Sequence, residues 1–275
     1  MSVWHAVLVL IVSGSFATTA WSHDEPVEED TGPWSGNVGL GFLKSTGNTE
    51  DTSVLFNFLV GYETGAWNHA LDGRIYSAQT TDQENGVDNT TAAAYQLGWK
   101  SKNDIDDRNY LFGALDWIKD RKASYVQQTF ETVGYGRRVI QNDTHTLNID
   151  VGAGFAQQEM APFCSITVSG IPGADNTCPA DPVQELVIGQ SEDGVVGVLS
   201  GDYLWNVNEN VSFGQNLDVF VASDNTYWES VSALRANLVG DLAMVASYTI
   251  KANTDTSLGK EKRDTYTAIS LDYKF

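Results

Sequence analysis

Histidines, cysteines and an excess of carboxylates are the residues of this chain that could carry chemistry. Nucleophilic catalysis would need an imidazole within reach of a hydroxyl, with a third group orienting the ring. His23 sits in an acidic stretch beside Asp24 and Glu25, and His69 and His145 each stand where an alternating segment begins. His145 has Thr144, Thr146 and Asn148 nearby, but such residues are common throughout the chain, so spacing selects no pair. The GxSxG, HExxH and CxxC patterns do not occur, nor does a DxDxDG calcium loop. These residues therefore predict no enzyme, no cofactor and no metal, with lipid modification by a Ser–His pair as the least favoured reading.

Charge is more informative. The chain has 36 acidic and 16 basic residues, which argues against nucleic acid as a partner. From Val139 to Leu234 there is no Lys or Arg, yet the stretch holds thirteen Asp and Glu. Acidic groups lining a water-filled passage attract cations through their summed field. Asp150 and Asp218 fall at positions that alternation turns inward, and so do the basic Arg74 and Arg235. These four are the candidate lumen charges.

The elements that must position them are strands. Residues 1–22 read as a signal peptide, with the apolar run Val7–Val12 and a cleavage site at Ala20-Trp21-Ser22. Residues 23–33 read as an acidic periplasmic leader. In an exported chain the pair Cys164 and Cys178 is expected as a disulfide. Beyond the leader, Leu147, Ile149, Val151, Ala153 and Phe155 alternate with Asn148, Asp150, Gly152 and Gly154, and similar segments recur to the C-terminus. Twelve strands are predicted: 34–43, 52–63, 67–80, 89–101, 108–119, 125–138, 144–158, 194–206, 211–223, 227–239, 243–253 and 264–275. Each is about the ten residues a tilted strand needs to cross hydrocarbon.

Five connections are short and alternate with others that are often longer, the longest being the extracellular loop 159–193. Trp34, Trp67, Tyr110, Tyr62, Trp99, Tyr135 and Trp205 all fall near the short-turn end, as an aromatic girdle would. Tyr273 and Phe275 share the apolar face of the last strand, the pattern of a signal read by the outer-membrane insertion machinery. The expected fold is all-β: a transmembrane antiparallel β-barrel over 34–275, in contact with outer-membrane lipids. The rival is a soluble sandwich or lipocalin-like barrel with its apolar face inward.

Trp34-Ser35-Gly36, Gly39-Leu40-Gly41 and Ser45-Thr46-Gly47-Asn48-Thr49 resemble the opening of the YdiY-like salt-induced outer-membrane protein family. Gly134-Tyr135-Gly136, Gly152-Ala153-Gly154 and the terminal Phe275 are similar to its later strands. The resemblance implies an outer-membrane barrel of a Gram-negative envelope and brings no catalytic residues. Gly47-Asn48 also has the composition of a tight hairpin turn.

The functional expectation is a narrow, porin-like passive pore for small solutes or cations, with lumen-facing glycines (Gly39, Gly41, Gly152, Gly154 and Gly214) leaving room for water. The alternative is a non-conducting structural or surface-binding barrel acting through the disulfide-closed loop 159–193. The apolar loop residues Phe163, Ile166, Val168 and Ile171 motivate it.

Overall fold

Alternating β-branched, aromatic and small residues make extended segments that must pair, because in hydrocarbon every backbone N–H and C=O needs a partner within the protein. In a computed structural model, which describes residues 33–45, 50–81, 88–121, 123–161, 163–165, 185–187, 191–256 and 262–275, those segments close on themselves. The barrel strands are β1 (Trp34–Ser45), β2 (Glu50–Thr64), β3 (Trp67–Thr81), β4 (Asp88–Asp104), β5 (Asn109–Asp120), β6 (Tyr125–Gln141) and β7 (His145–Met160). Then follow β8 (Phe163–Ser165), β9 (Glu185–Val187), β10 (Ser191–Asn208), β11 (Val211–Val221), β12 (Thr226–Val239), β13 (Leu242–Asn253) and β14 (Arg263–Lys274). Twelve of these form a closed antiparallel barrel in the order β1-β14-β13-β12-β11-β10-β7-β6-β5-β4-β3-β2. β8 and β9 pair separately, Cys164 opposite Leu186.

That small sheet lies in what the sequence reading treats as one loop, 159–193. The loop is also shorter than expected at its base, since the β7–β10 ladder runs on to Glu159 opposite Ser191. The expectations for residues 1–32, Gly47-Asn48, Ile166, Val168, Ile171 and Cys178 lie outside the described residues.

The outside of the barrel is apolar. Val195 is 73% exposed, Val133 67%, Phe42 65% and Leu40 62%, all at the positions that alternate with buried ones. A soluble barrel would expose its polar face instead, so the inverted surface excludes the lipocalin-like rival. Trp34, Trp67, Trp99, Tyr135 and Trp205 are exposed at the short-turn end, where Trp34 packs on Tyr62 at 4.6 Å between ring centroids. Tyr110 departs from that expectation. Leu111 takes the outward position, so Tyr110 points into the lumen and is fully buried.

Two of the tight turns use glycine in the left-handed region. Gly65 (φ 59°) and Gly240 (φ 55°) begin the two-residue links Gly65-Ala66 and Gly240-Asp241, where a side chain would be strained. Glycines inside the barrel do the opposite of leaving water space. A Cβ on Gly39 would strike the Asn57 and Asp272 side chains, and one on Gly136 would strike the Tyr110 ring. The missing side chains admit larger ones from the neighbouring strands. Gly214 alone among the five named glycines meets nothing within 4 Å.

The longer β4–β5 turn is held by Asp106. Its Oδ1 accepts the backbone N–H of Arg108 (2.9 Å) and Asn109 (2.9 Å) and the Asn109 side-chain amide (2.8 Å). The Asn109 amide foremost, then the Arg108 N–H, hold this carboxyl below its ordinary value. A depressed folded-state value contributes stability above the unfolded value and loses it as pH falls through the folded one. Asp106→Ala is therefore expected to lower the urea midpoint of the refolded barrel at neutral pH. The gap to wild type should close as pH drops below about 4. A gap independent of pH would show that the carboxylate bonds do not hold the turn.

Candidate functional site in the barrel lumen

The same alternation that turns leucine and valine toward lipid turns charge inward. On β3, Leu71 and Ile75 are exposed while Arg74 and Tyr76 are buried, and Asp72 shares their parity. On β4, Leu97 and Trp99 face out, which puts Gly98, Lys100 and Lys102 inside. Asp150 on β7, Asp202 on β10 and Glu229 on β12 are buried, and Asp116 and Asp218 take inward positions on β5 and β11.

These groups meet across the lumen. Arg74 Nη1 lies 2.9 Å from Glu229 Oε1. Their strands are five steps apart in a ring of twelve (β12, β13, β14, β1, β2, β3), so the pair bridges nearly opposite walls. Glu229 is a hub. Its Oε2 also accepts the Tyr227 hydroxyl at 2.8 Å and lies 3.4 Å from Lys251 Nζ. Lys100 Nζ reaches Asp150 Oδ2 at 2.5 Å, and Asp150 Oδ1 accepts the Tyr110 hydroxyl at 2.6 Å. Asp202 accepts the Asn216 amide at 2.5 Å. Asp72 and Asp116 flank Gly98 on its two neighbouring strands, and Asp218 pairs directly with Glu229, so these carboxylates lie close together. Six carboxylates (Asp72, Asp116, Asp150, Asp202, Asp218, Glu229) share the tier with Arg74, Lys100 and Lys251, leaving an acidic excess.

Below the tier, toward the turn end, Lys102 and Arg138 lie over the Tyr110 ring at 4.8 and 5.1 Å, and Arg138 pairs with Asp104 at 2.9 Å. Arg235 is buried on β12, with Asp272 as its charged neighbour and the Asn237 side chain at 3.3 Å. It takes no part in the bridge that Arg74 makes. Above the tier, Phe130 stacks on Phe220 (centroids 4.1 Å) and near Tyr227 (5.9 Å). Gln158 then accepts the amides of Gln128 (2.8 Å) and Asn225 (3.0 Å). From one mouth to the other, the lumen runs through cations, carboxylates, rings and amides.

Sequence reasoning singled out Asp150, Asp218, Arg74 and Arg235. It missed Asp72, Lys100, Lys102, Asp116, Asp202, Lys251 and the hub Glu229. Their parity was available: each is an odd number of positions from an apolar outward residue on its own strand. Which of them meet was not, because contact across the lumen depends on strand tilt and stagger. Of the cysteine pair, Cys164 stands on β8 and Cys178 lies outside the described residues.

A hydroxyl–imidazole contact was also missed. Ser101 Oγ lies 2.8 Å from His69 Nδ1 on the lipid-facing side near the turn end, 32 residues apart in sequence but directly paired across β3 and β4. The ring stacks beside Trp67 (5.8 Å) and Tyr62 (6.3 Å), and Ser101 is buried. His145 has a similar place, with Nδ1 2.9 Å from the Tyr203 hydroxyl and Trp205 alongside at 6.0 Å. Both histidines are thus members of the aromatic girdle. Among the described residues, no group of three or more His, Cys, Asp and Glu is placed to hold a metal ion.

The family model described as "Protein of unknown function, DUF481" matches residues 38–275. The uncharacterized protein YdiY of Escherichia coli (strain K12) is 25% identical over 276 residues, covering 97% of this chain and 96% of its own. Among solved structures, the translocator domain of the autotransporter NalP from Neisseria meningitidis is similar at 11% identity, covering 88% of this chain and 87% of that one, with a TM-score of 0.46. The NanC porin is similar at 10% identity, covering 88% and 100%, with a TM-score of 0.45.

The bridge predicts a non-additive energetic signature. Glu229→Gln leaves Arg74 and Lys251 buried without their carboxylate, and should destabilise the folded barrel by about 3 kcal/mol. Arg74→Met combined with Glu229→Leu removes both charges of the bridge and should recover part of that loss, Lys251 alone still lacking the carboxylate. Urea titration in lipid vesicles, followed by tryptophan emission, reads all the variants. Additive losses would mean that the two side chains are not coupled.

Proposed function

The chain belongs to the DUF481 family of proteins of unknown function, and from that premise we propose that it is an outer-membrane barrel passing small cations, held shut at rest by side chains that meet across its lumen. One observation carries the reading: charged side chains from several strands meet inside the barrel, with Glu229 bridged to Arg74 from nearly opposite walls. Stability alone does not call for such a tier, because well-packed apolar residues in place of a buried ion pair are often neutral or stabilising. Ionisable groups at membrane depth are instead the usual mark of an ion path. The acidic excess favours cations over anions. In this reading the short turns face the periplasm, and Tyr273 and Phe275 are read by the insertion machinery. The lipid-facing His69–Ser101 pair anchors the girdle and does no chemistry.

A second reading has its own support. The Phe130, Phe220 and Tyr227 stack and the Gln128–Gln158–Asn225 amides fill the lumen above the tier. A barrel so filled suits a non-conducting structural or surface-binding role, acting through the 159–193 loop with Cys164–Cys178 closing it.

Single-channel recording in a planar bilayer under a KCl gradient separates the two. Wild type is expected to give rare, small, cation-preferring openings, and Arg74→Ser larger and more frequent ones. If both proteins are silent while heat-modifiable migration shows them folded, the conducting reading fails and the structural one stands. Measured phospholipid turnover should be the same for Ser101→Ala, His69→Ala and wild type; a loss in either variant would restore the enzyme.

A further inference from the structure

Polar side chains inside the barrel belong to the lumen and His69–Ser101 belongs to the girdle, but a further polar group lies on the outer wall. On β11 the lipid-facing parity is that of Leu217 and Val221, both exposed, and Gln215 shares it. On β12 it is that of Leu234, also exposed, and Ser230 and Ser232 share it. These three form a network on the outer wall: Gln215 Nε2 donates to Ser230 Oγ (3.0 Å), and Ser232 Oγ donates to Gln215 Oε1 (2.5 Å). They stand between Trp228 and Leu234 on β12, within the band that elsewhere presents leucine, valine and isoleucine. Lipid tails offer a hydrogen bond to none of them.

The neighbouring β10 surface is bare. Gly197 and Gly201 carry the same outward parity as the exposed Val195 and Leu199. A Cβ on Gly201 would meet nothing within 4 Å, and one on Gly197 only the Val221 carbonyl at 4.0 Å. Small residues beside hydrogen-bonding ones are what lets two membrane proteins approach closely and bond once there.

We propose that the wall centred on β11 and β12, with the bare β10 at its margin, is the docking surface for a second copy of this chain, in a two-fold dimer whose axis runs along the membrane normal between β11 and β12. The chemistry is self-complementary. Every member of the network both donates and accepts, and none is ionised, so like meets like without charge conflict. The register is self-complementary too. Gln215 pairs directly with Ser232 across β11 and β12, so the two sit at one height. A two-fold that lays β11 on the partner's β12 therefore sets Gln215 against the partner subunit's Ser232, and the reverse contact follows by symmetry. Oppositely charged partners find nothing to recognise here. The inference is independent of whether the lumen conducts.

The test is photo-crosslinking of the full-length protein in the membranes of the cells that express it, with p-benzoylphenylalanine in place of Leu217. The same probe in place of Ile75, exposed on β3 across the barrel, is the control. A band at twice the chain mass from the Leu217 position alone is expected. Gln215→Leu with Ser232→Val should reduce that band about tenfold while heat-modifiable folding persists. Should the double variant fail to fold, Gly201→Phe, which has open space at the wall, blocks the approach and should give the same loss. Adducts only to lipid or to another protein, equal bands from both probe positions, a three-copy band, or a dimer band insensitive to these substitutions would each overturn the proposal.

Discussion

A sheet that enters hydrocarbon cannot keep an edge, and that constraint orders everything else in this molecule. β1 and β14, the first and last strands, must find each other. They do so through the register Asn37↔Lys274 to Leu40↔Leu271, extended by the reciprocal 2.9 Å backbone bonds of Gly36 and Phe275. A Cβ on Gly36 would strike the Phe275 ring, so the last aromatic packs against the first strand at the seam. Once the seam is fixed, no strand can slip by one residue without exchanging its lipid face for its lumen face. Closure therefore decides the side of the wall on which every later side chain falls.

Strand number then sets what the lumen can hold. Eight strands enclose about what their own side chains fill, and many more leave a channel. Twelve leave a gap that long side chains from facing walls can just close, and the residues on those walls make use of it. Basic side chains from β3 and β4 reach carboxylates on β12 and β7, while rings from β6, β11 and β12 stack above them. Glycine on the neighbouring strand makes the reach possible. Tyr110 can turn inward to Asp150 because Gly136, directly opposite it on β6, offers no side chain in the way.

What could be read from sequence is what depends on local pattern. The twelve barrel strands, their approximate places and the apolar exterior follow from period-two alternation and turn composition, both local properties, whereas limits such as those of β10 (Ser191–Asn208 against 194–206) depend on how far the neighbouring ladder runs. The inward direction of Arg74 is local in the same sense, since Ile75 beside it is plainly lipid-facing. Tyr110 shows where local reading fails: an aromatic near a rim looks like girdle, and only the parity of Leu111 turns it inside. The Arg74–Glu229 bridge spans 155 residues and five strands, and no spacing in the sequence announces it. The β8–β9 pair was hidden for another reason, since three residues are too few for alternation to register.

β12 sharpens the relation between polarity and register. Glu229 and Arg235 point into the lumen on either side of the buried Val231 and Ala233, while Ser230 and Ser232 point to lipid, so along its middle the usual order of polar inside and apolar outside is reversed. Hydrophobic patterning alone specifies such a strand weakly. Trp228 and Leu234 supply part of the missing information. The rest comes from particular partners: Arg74 and Lys251 on Glu229 inside, and Gln215 on Ser230 and Ser232 outside. A shift by one residue would send a carboxylate into hydrocarbon and break both sets at once. The polar groups that invite a functional reading thus also hold this strand in place, and substitutions there need a measure of folding beside any measure of activity.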